Sequence, residues 1–406
     1  MGAGDDEEAG VSSGDDVVIV GGARTPFGKI GSSLASLTAP ELGAHAIRHA
    51  LLRSGVGAEE VDVVLMGQVV QAGAGQGPAR QAAVAAGIGW DVPATTINKI
   101  CLSGLNAIVD GARLIRCGEA TVVVAGGQES MSNGPHLLPG ARRGYPYGDV
   151  TLLDSVAHDA LTDAFDHLSM GASTERSLGR LGISRAEQDE VAAASHQRAA
   201  RAEKDGTFDE EIAPVEVPQR RGEPVLVRRD EGIRPGATAE SLAALRPAFA
   251  KDGTITAASS SPLTDGAVAV VLTTRANAER LGVPWLAVVG PAGQVAGPDN
   301  SLPSQPARAI TAALRRADLG VGDLDLVEIN EAFAAVVVQS LRDLDFPWER
   351  TNLDGGAIAL GHPVGASGAR IALHAALELA RRCSGRAAVG LCGGGGQGEA
   401  LLLSRD

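Results

Sequence analysis

The stretch SGLNAIVDGARLIRCGEATVVVAGG at residues 103–127 decides the fold, because SGARIALHAALELARRCSGRAAVGLCGG at residues 367–394 follows the same plan. Each is an amphipathic run ending near a cysteine, then a short apolar run, then paired glycines. Leu105, Ile108, Val109, Ala112 and Ile115 fall on one helical stripe; Ala369, Ala372, Leu373, Ala376, Leu377 and Ala380 form another. The repetition extends outward. DVVIVGGARTPFG (16–28), PELGAHAIRHALLRSG (40–55) and VGAEEVDVVLMGQ (56–68) read as strand, helix and strand. WLAVVGPAG (285–293), PARAITAALRRADLG (306–320) and VGDLDLVEINEAF (321–333) restate that order.

Duplication of this period means two structural units stacked on one another. Strands alternating with helices predict an α/β protein with mixed, largely parallel sheets covered on both faces. A chain of 406 residues buries a sizeable interior, and 53 glycines against 3% aromatics favour helices packed closely on a small-residue sheet. Residues 16–131 with 262–284 are expected to form the first half and 285–406 the second. Between them, 132–261 is richer in proline, arginine and charge and reads as an inserted loop domain, with one clear helix in SRAEQDEVAAASHQRAARAEKDG (184–206). The acidic opening, residues 1–15, lacks an apolar core and is expected to be a disordered tail, neither secretory signal nor transit peptide.

Formal charge is 35 − 49 = −14, a field that repels nucleic acid. Cys101, Cys117, Cys383 and Cys392 show no C-x-x-C spacing, so neither a disulfide framework nor a zinc ribbon is expected, and a reducing cytoplasm fits. No apolar run reaches bilayer length, so a soluble chain without a membrane partner is expected. Arg220, Arg221, Arg228, Arg229 and Arg234 concentrate positive charge in the insert: a solvated face, or a seat for a phosphorylated ligand.

NKICLSGLNA (98–107) places Cys101 at the mouth of a helix, where free N–H groups and the dipole are expected to favour the thiolate and lower its pKa. NLDGGAIALGHPVGASGAR (352–370) carries His362 between glycine-rich turns, GLCGGGGQG (390–398) sets Cys392 at a strand end, and EINEAFA (328–334) does the same for Asn330. Open α/β sheets place their sites at that edge. If the repeats pack pseudo-symmetrically, Cys101, His362 and Cys392 converge; Asn330 alone reads equally as a cap or turn residue. GGGGQG (393–398) fits G-x-G-x-x-G but only EALLL follows, leaving no room for a dinucleotide-binding helix. His158, Asp159, Asp163 and His167 read as a solvated loop, and no metal is assigned.

These four segments, with GGARTPFG, GGQESMSNGPH, GISRAEQDEVAAASHQRA and LRPAFAKDGTITA, resemble the thiolase family over nearly the whole chain beyond the acidic tail. The resemblance implies a thiolase fold, two repeated βαβαβαββ halves in a five-layered α-β-α-β-α core with a loop domain, assembled as homodimers or homotetramers. It implies acetyl-CoA C-acetyltransfer, the reversible condensation of two acetyl-CoA to acetoacetyl-CoA through an acyl-cysteine in ping-pong order. A broader 3-ketoacyl-CoA thiolase is the alternative, and coenzyme A is substrate and product rather than a tightly bound cofactor.

Carried over residue by residue, Cys101 is the nucleophile, His362 the base that takes its proton, and Cys392 the second acid/base. Asn330, through a water, and His362 Nε2 would stabilise the enolate. The N–H groups of Cys101 and Gly394 would form the oxyanion hole, and the glycines are expected to let the backbone approach the carbonyl closely. Arg234 and Ser241 fall near the nucleotide end of coenzyme A, Ser261 on the pantetheine, and Met170, Leu263 and Phe333 along its path. Leu102, Ser169, Ser259 and Asp354 depart from the family pattern. A decarboxylating ketoacyl synthase would want His or Asn in place of Cys392; a silent lipid-binding relative would lose the bases; a redox or metal protein would use Cys101, His362 and Cys392 together.

Overall fold

The computed structural model describes residues 13–406. Of the expected tail, residues 1–12 lie outside the described residues and Ser13–Asp15 form a 3-10 turn. The first half runs β1 (Val17–Arg24), α1 (Ala39–Ser54), β2 (Val63–Gly67), α2 (Pro78–Ala85), β3 (Ala94–Ile97), α3 (Ser103–Arg116), β4 (Val122–Glu129) and, beyond the insert, β5 (Thr264–Thr274). Local signals fix the ends. Thr38 and Glu41 cap α1 reciprocally, and Gly55 stops it at φ 70°.

The insert contributes α4 (Met170–Leu181) and α5 (Arg185–Asp205). The second half follows as β6 (Ala287–Ala296), α6 (Gln305–Arg316), β7 (Leu326–Ile329), α7 (Ala334–Leu344), α8 (Ser367–Arg382), β8 (Gly385–Gly393) and β9 (Gln397–Arg405).

Strand order is β3-β2-β4-β5-β1 in the first half and β7-β8-β9-β6 in the second. The halves join edge to edge through the antiparallel pairs Val18–Val288 and Ile19–Ala287. Period-two alternation then builds the layers, since both sheet faces are buried. On β4, Val123 and Ala125 face the central core while Val122 and Val124 face the outer core of the first half. On β9, Leu401 and Leu403 face the centre and Ala400 and Leu402 the other outer core. Helices α3 and α8 fill the centre, α1 and α2 cover one side, and α6 and α7 the other. The result is the expected five layers. Centrally placed α8 is buried almost all round, including Ile371, Ala375 and Leu379 outside the expected stripe.

Two details differ from the sequence reading. In the second half the third strand shrinks to a single bridge, Val327–Thr351. The reason is Asn352, whose side-chain amide pairs with the Ile329 peptide: Oδ1 accepts the N–H at 2.8 Å and Nδ2 donates to the carbonyl at 2.9 Å. The insert, moreover, wraps around the halves. Leu178 and Val191 pack into the outer core of the second half, Phe208 and Ile212 into the centre, and Val215 and Val217 into the outer core of the first. Among the described residues no helix is long and apolar enough to cross a membrane.

Candidate active site

The turn before α3 is held open by its own side chains. Ile100 sits at φ 52°, a region costly for a β-branched residue. Asn98 Oδ1 accepts the Ile100 N–H at 3.1 Å, while Ser103 Oγ accepts the Lys99 N–H at 2.8 Å and donates to the Ile100 carbonyl at 2.6 Å. Cys101 therefore stands two residues ahead of α3, with fully buried Leu102 as the N-cap.

A cavity of about 300 Å³ opens on this turn. Cys101, His362, Cys392 and Gly394 share its wall with Met170, Ser261, Leu263 and Phe333. Asn330 lies behind the wall, its Nδ2 3.5 Å from His362 Nδ1. Arg234 and Ser241 are exposed and do not line the cavity. The Arg234 N–H donates to His196 Nδ1 at 3.3 Å, and Ser241 closes a capping box with Thr238. Sequence reading missed Thr264 and Ser367, which hold His362. The Thr264 hydroxyl accepts the His362 N–H at 3.0 Å, and Ser367 Oγ stands 2.6 Å from Nδ1. Neither carries a motif signal as a partner of His362, and Thr264 comes from a strand 98 residues away.

Electrostatics run against one expectation. Cys101 packs on an apolar cluster of Val69, Val70, Met131, Val156, Ala160 and Val364. Burial pushes its thiol up to about 12, with the Glu129 charge adding to it. The N–H groups of Cys101 itself and of Gly394 pull the other way and do not win. The helix mouth thus does not lower the thiol pKa; desolvation outweighs it. Cys392 is raised by burial and then by the facing Cys101. His362 is pushed down to about 4 by burial and, secondly, by the Arg370 charge, so its imidazole is neutral; its buried Nε2 has no partner among the described residues.

Packing around the glycine run is uneven. A Cβ on Gly394 would stand 3.4 Å from Ile100 and 3.7 Å from Met170 Sδ, ordinary contacts. Space is lacking instead at Gly393, where a Cβ would meet Leu102 at 2.7 Å, and at Gly396, where it would lie 2.0 Å from the Asp299 carbonyl. The run is shaped by the packing beneath it. The other departures are accommodated locally. Ser169 caps α4 through the Ala172 N–H at 3.3 Å, Ser259 accepts the Thr256 N–H at 2.9 Å, and Asp354 pairs with His374 Nε2 at 3.4 Å.

Residues 17–276 match the family model described as "Thiolase, N-terminal domain", and residues 283–405 that described as "Thiolase, C-terminal domain". A probable acetyl-CoA acetyltransferase of Mycolicibacterium smegmatis is 59% identical over 388 residues, 96% of this chain and 100% of that protein. The acetyl-CoA acetyltransferase of Cupriavidus necator is 48% identical over 96% of this chain and 99% of its own length. A probable acetyl-CoA acyltransferase of Staphylococcus epidermidis is 44% identical over 96% and 98%. With both family models matched in order and its duplicated halves meeting at one cavity, the chain belongs to the thiolase family.

Proposed function

We propose that this protein is an acetyl-CoA C-acetyltransferase that condenses two acetyl-CoA to acetoacetyl-CoA and free coenzyme A, reversibly and in ping-pong order. One observation carries the reading: Cys101, His362, Cys392 and Gly394, drawn from both halves of the chain, wall a single cavity.

In the first half-reaction Cys101 passes its proton to His362 Nε2, and its sulfur attacks the acetyl-CoA carbonyl. The oxyanion is held by the N–H groups of Cys101 and Gly394. The carbon–sulfur bond to coenzyme A breaks, Cys392 protonates the departing thiolate, and Cys101 is left acetylated. In the second, the Cys392 thiolate removes an α-proton from another acetyl-CoA. Imidazolium Nε2–H and an Asn330-held water stabilise the enolate. The carbanion attacks the acetyl group, the bond to Cys101 breaks, and His362 returns the proton to its sulfur. A neutral resting imidazole suits the first step, and a cysteine raised by burial gives the strong base that a thioester α-proton demands. Ser261, Met170, Leu263 and Phe333 would contact the pantetheine arm, with Arg234 and Ser241 of the loop domain (132–261) toward the nucleotide.

The test is direct. Acetyl-CoA should add one acetyl group to Cys101, and Cys392→Ser should still acylate yet not condense. Intersecting initial-rate plots would contradict the two-step order. Thiolysis of 3-ketoacyl-CoA of rising chain length separates an acetoacetyl-CoA specialist from a broad enzyme.

A further inference from the structure

Glu129 ends β4 at the seam where the His362 loop of the second half crosses the first. The carboxylate is fully buried and gathers three backbone donors: Oε2 accepts from Val69 at 3.0 Å and Gly365 at 2.9 Å, and Oε1 from Val70 at 3.0 Å. The other edge of the Gly365 peptide is gripped by shape. A Cβ on Gly127, Gly67 or Gly104 would lie 2.0, 2.5 or 2.9 Å from the Gly365 carbonyl oxygen. Gly365 follows His362 by three residues, and Gly104 follows Cys101 by three.

We propose that Glu129 is a positioning residue for the Cys101–His362 pair: its carboxylate, with the slot of three glycines, seats the 362–366 loop of one half against the nucleophile turn of the other. The inference rests on the roles assigned to Cys101 and His362 above. Three converging N–H groups require an acceptor-only group. Glutamine presents one acceptor oxygen and turns an NH₂ toward a donor; aspartate is a methylene too short.

No cation bonds to this carboxylate among the described residues, and its desolvation is not offset by an ion pair. Burial pushes its pKa up to about 7 despite the three N–H groups, and Asp265 adds to that. Its charge faces Cys101, as does Cys392 from β8; the His362 imidazole is neutral, and Lys99 is engaged with Glu399 at 3.0 Å and Asn106 at 2.8 Å.

The test uses the full-length enzyme at about pH 8.5, where Glu129 is mostly ionised. Glu129→Gln should lower kcat for acetoacetyl-CoA thiolysis about 100-fold with KM within about twofold, as displacement of a catalytic pair does. Alkylation of Cys101 by iodoacetamide should rise in the same variant, because the neighbouring charge that helps to raise its thiol is lost. Glu129→Asp keeps the charge and loses the reach, so kcat should fall while alkylation stays at the wild-type rate. A merely structural carboxylate would move both readouts down together. That result, or turnover within about twofold of wild type in both variants, overturns the proposal.

Should neither variant fold, hydrogen exchange of the native enzyme decides. Protection of the Gly365 amide, corrected for intrinsic rate, should drop about tenfold as pH falls from about 8.5 to about 5.5 and Glu129 protonates; unchanged protection rejects the seat. A wild type that performs no acetoacetyl-CoA thiolysis would sink the functional reading, and the Gly365 amide protection would then decide by itself whether Glu129 seats the 362–366 loop.

Discussion

The Ser367 hydroxyl stands 2.6 Å from His362 Nδ1 and 3.0 Å from the Pro363 carbonyl, one turn back along the chain. With the hydroxyl proton assigned to that carbonyl, the imidazole donates from Nδ1. Nε2 then keeps its lone pair and has no partner among the described residues. The Asn330 amide, with its oxygen unpaired as placed, gives the ring N–H a second acceptor when rotated about its Cγ.

Ser367→Ala should therefore lower kcat by about tenfold, the weight of one hydrogen bond of about 1 kcal/mol or somewhat more. KM for acetoacetyl-CoA should not change, because Ser367 lies behind the base. Steady-state kinetics beside a melting curve check this; a rise in KM with unchanged kcat would contradict the tautomer argument.

What was legible in the sequence divides by range. Helix periodicity, Gly55 as a stop, and cysteines or histidine beside glycine turns are local patterns, and they point to a duplicated α/β chain and to Cys101, His362 and Cys392, which share one cavity wall. Thr264 and Glu129 bond partners 98 and 236 residues away that only tertiary packing brings near, and Ser367, though only five residues from His362, carries no signal as its partner. The raised Cys101 pKa is hidden from the sequence for a related reason. A helix mouth is visible in sequence, whereas the apolar cluster of Val69, Met131 and Val364 that desolvates the sulfur assembles only in the fold.

The glycine run makes a prediction by contrast. Gly394→Ala should fold with nearly wild-type stability, since its Cβ finds ordinary contacts. Gly396→Ala should lose at least ~2 kcal/mol, because φ there is 69° and the Cβ would strike the Asp299 carbonyl. Urea midpoints for the pair decide; equal midpoints would refute the packing account.

His374 gives a pH dependence with a definite sign. Burial alone would lower its pKa, but the Glu211 charge and the bond to Asp354 raise it well above the ordinary imidazole value. A raised folded-state pKa stabilises fully below the unfolded value of about 6.5 and is lost as pH climbs toward the folded one. Melting temperature should fall on the alkaline side of neutrality, and His374→Gln should flatten that limb while lowering the plateau. A steeper alkaline limb in the variant would show the sign to be wrong.

Arg24 supplies the severest test of how the insert is held. Its guanidinium, fully buried, bonds Asp230 at 2.7 and 2.9 Å and Glu211 at 2.8 Å, and Asp230 also accepts the Phe27 N–H at 2.8 Å. Arg24→Met keeps most of the volume, strands the buried Asp230 carboxylate and leaves Glu211 with His374 Nδ1 at 3.1 Å, which should cost about 3–5 kcal/mol. In the native protein Glu211 is held well below the usual carboxylate range despite its burial, by the Arg24 charge first and then by His374. The stability this gives is present above the unfolded value of about 4.3 and is lost as pH falls, so the variant should lose less than the wild type between about pH 5 and about pH 3. Urea denaturation across that range measures the slope directly, and a variant whose midpoint fell with pH in parallel with the wild type would show that Arg24 is not what balances Glu211 and Asp230.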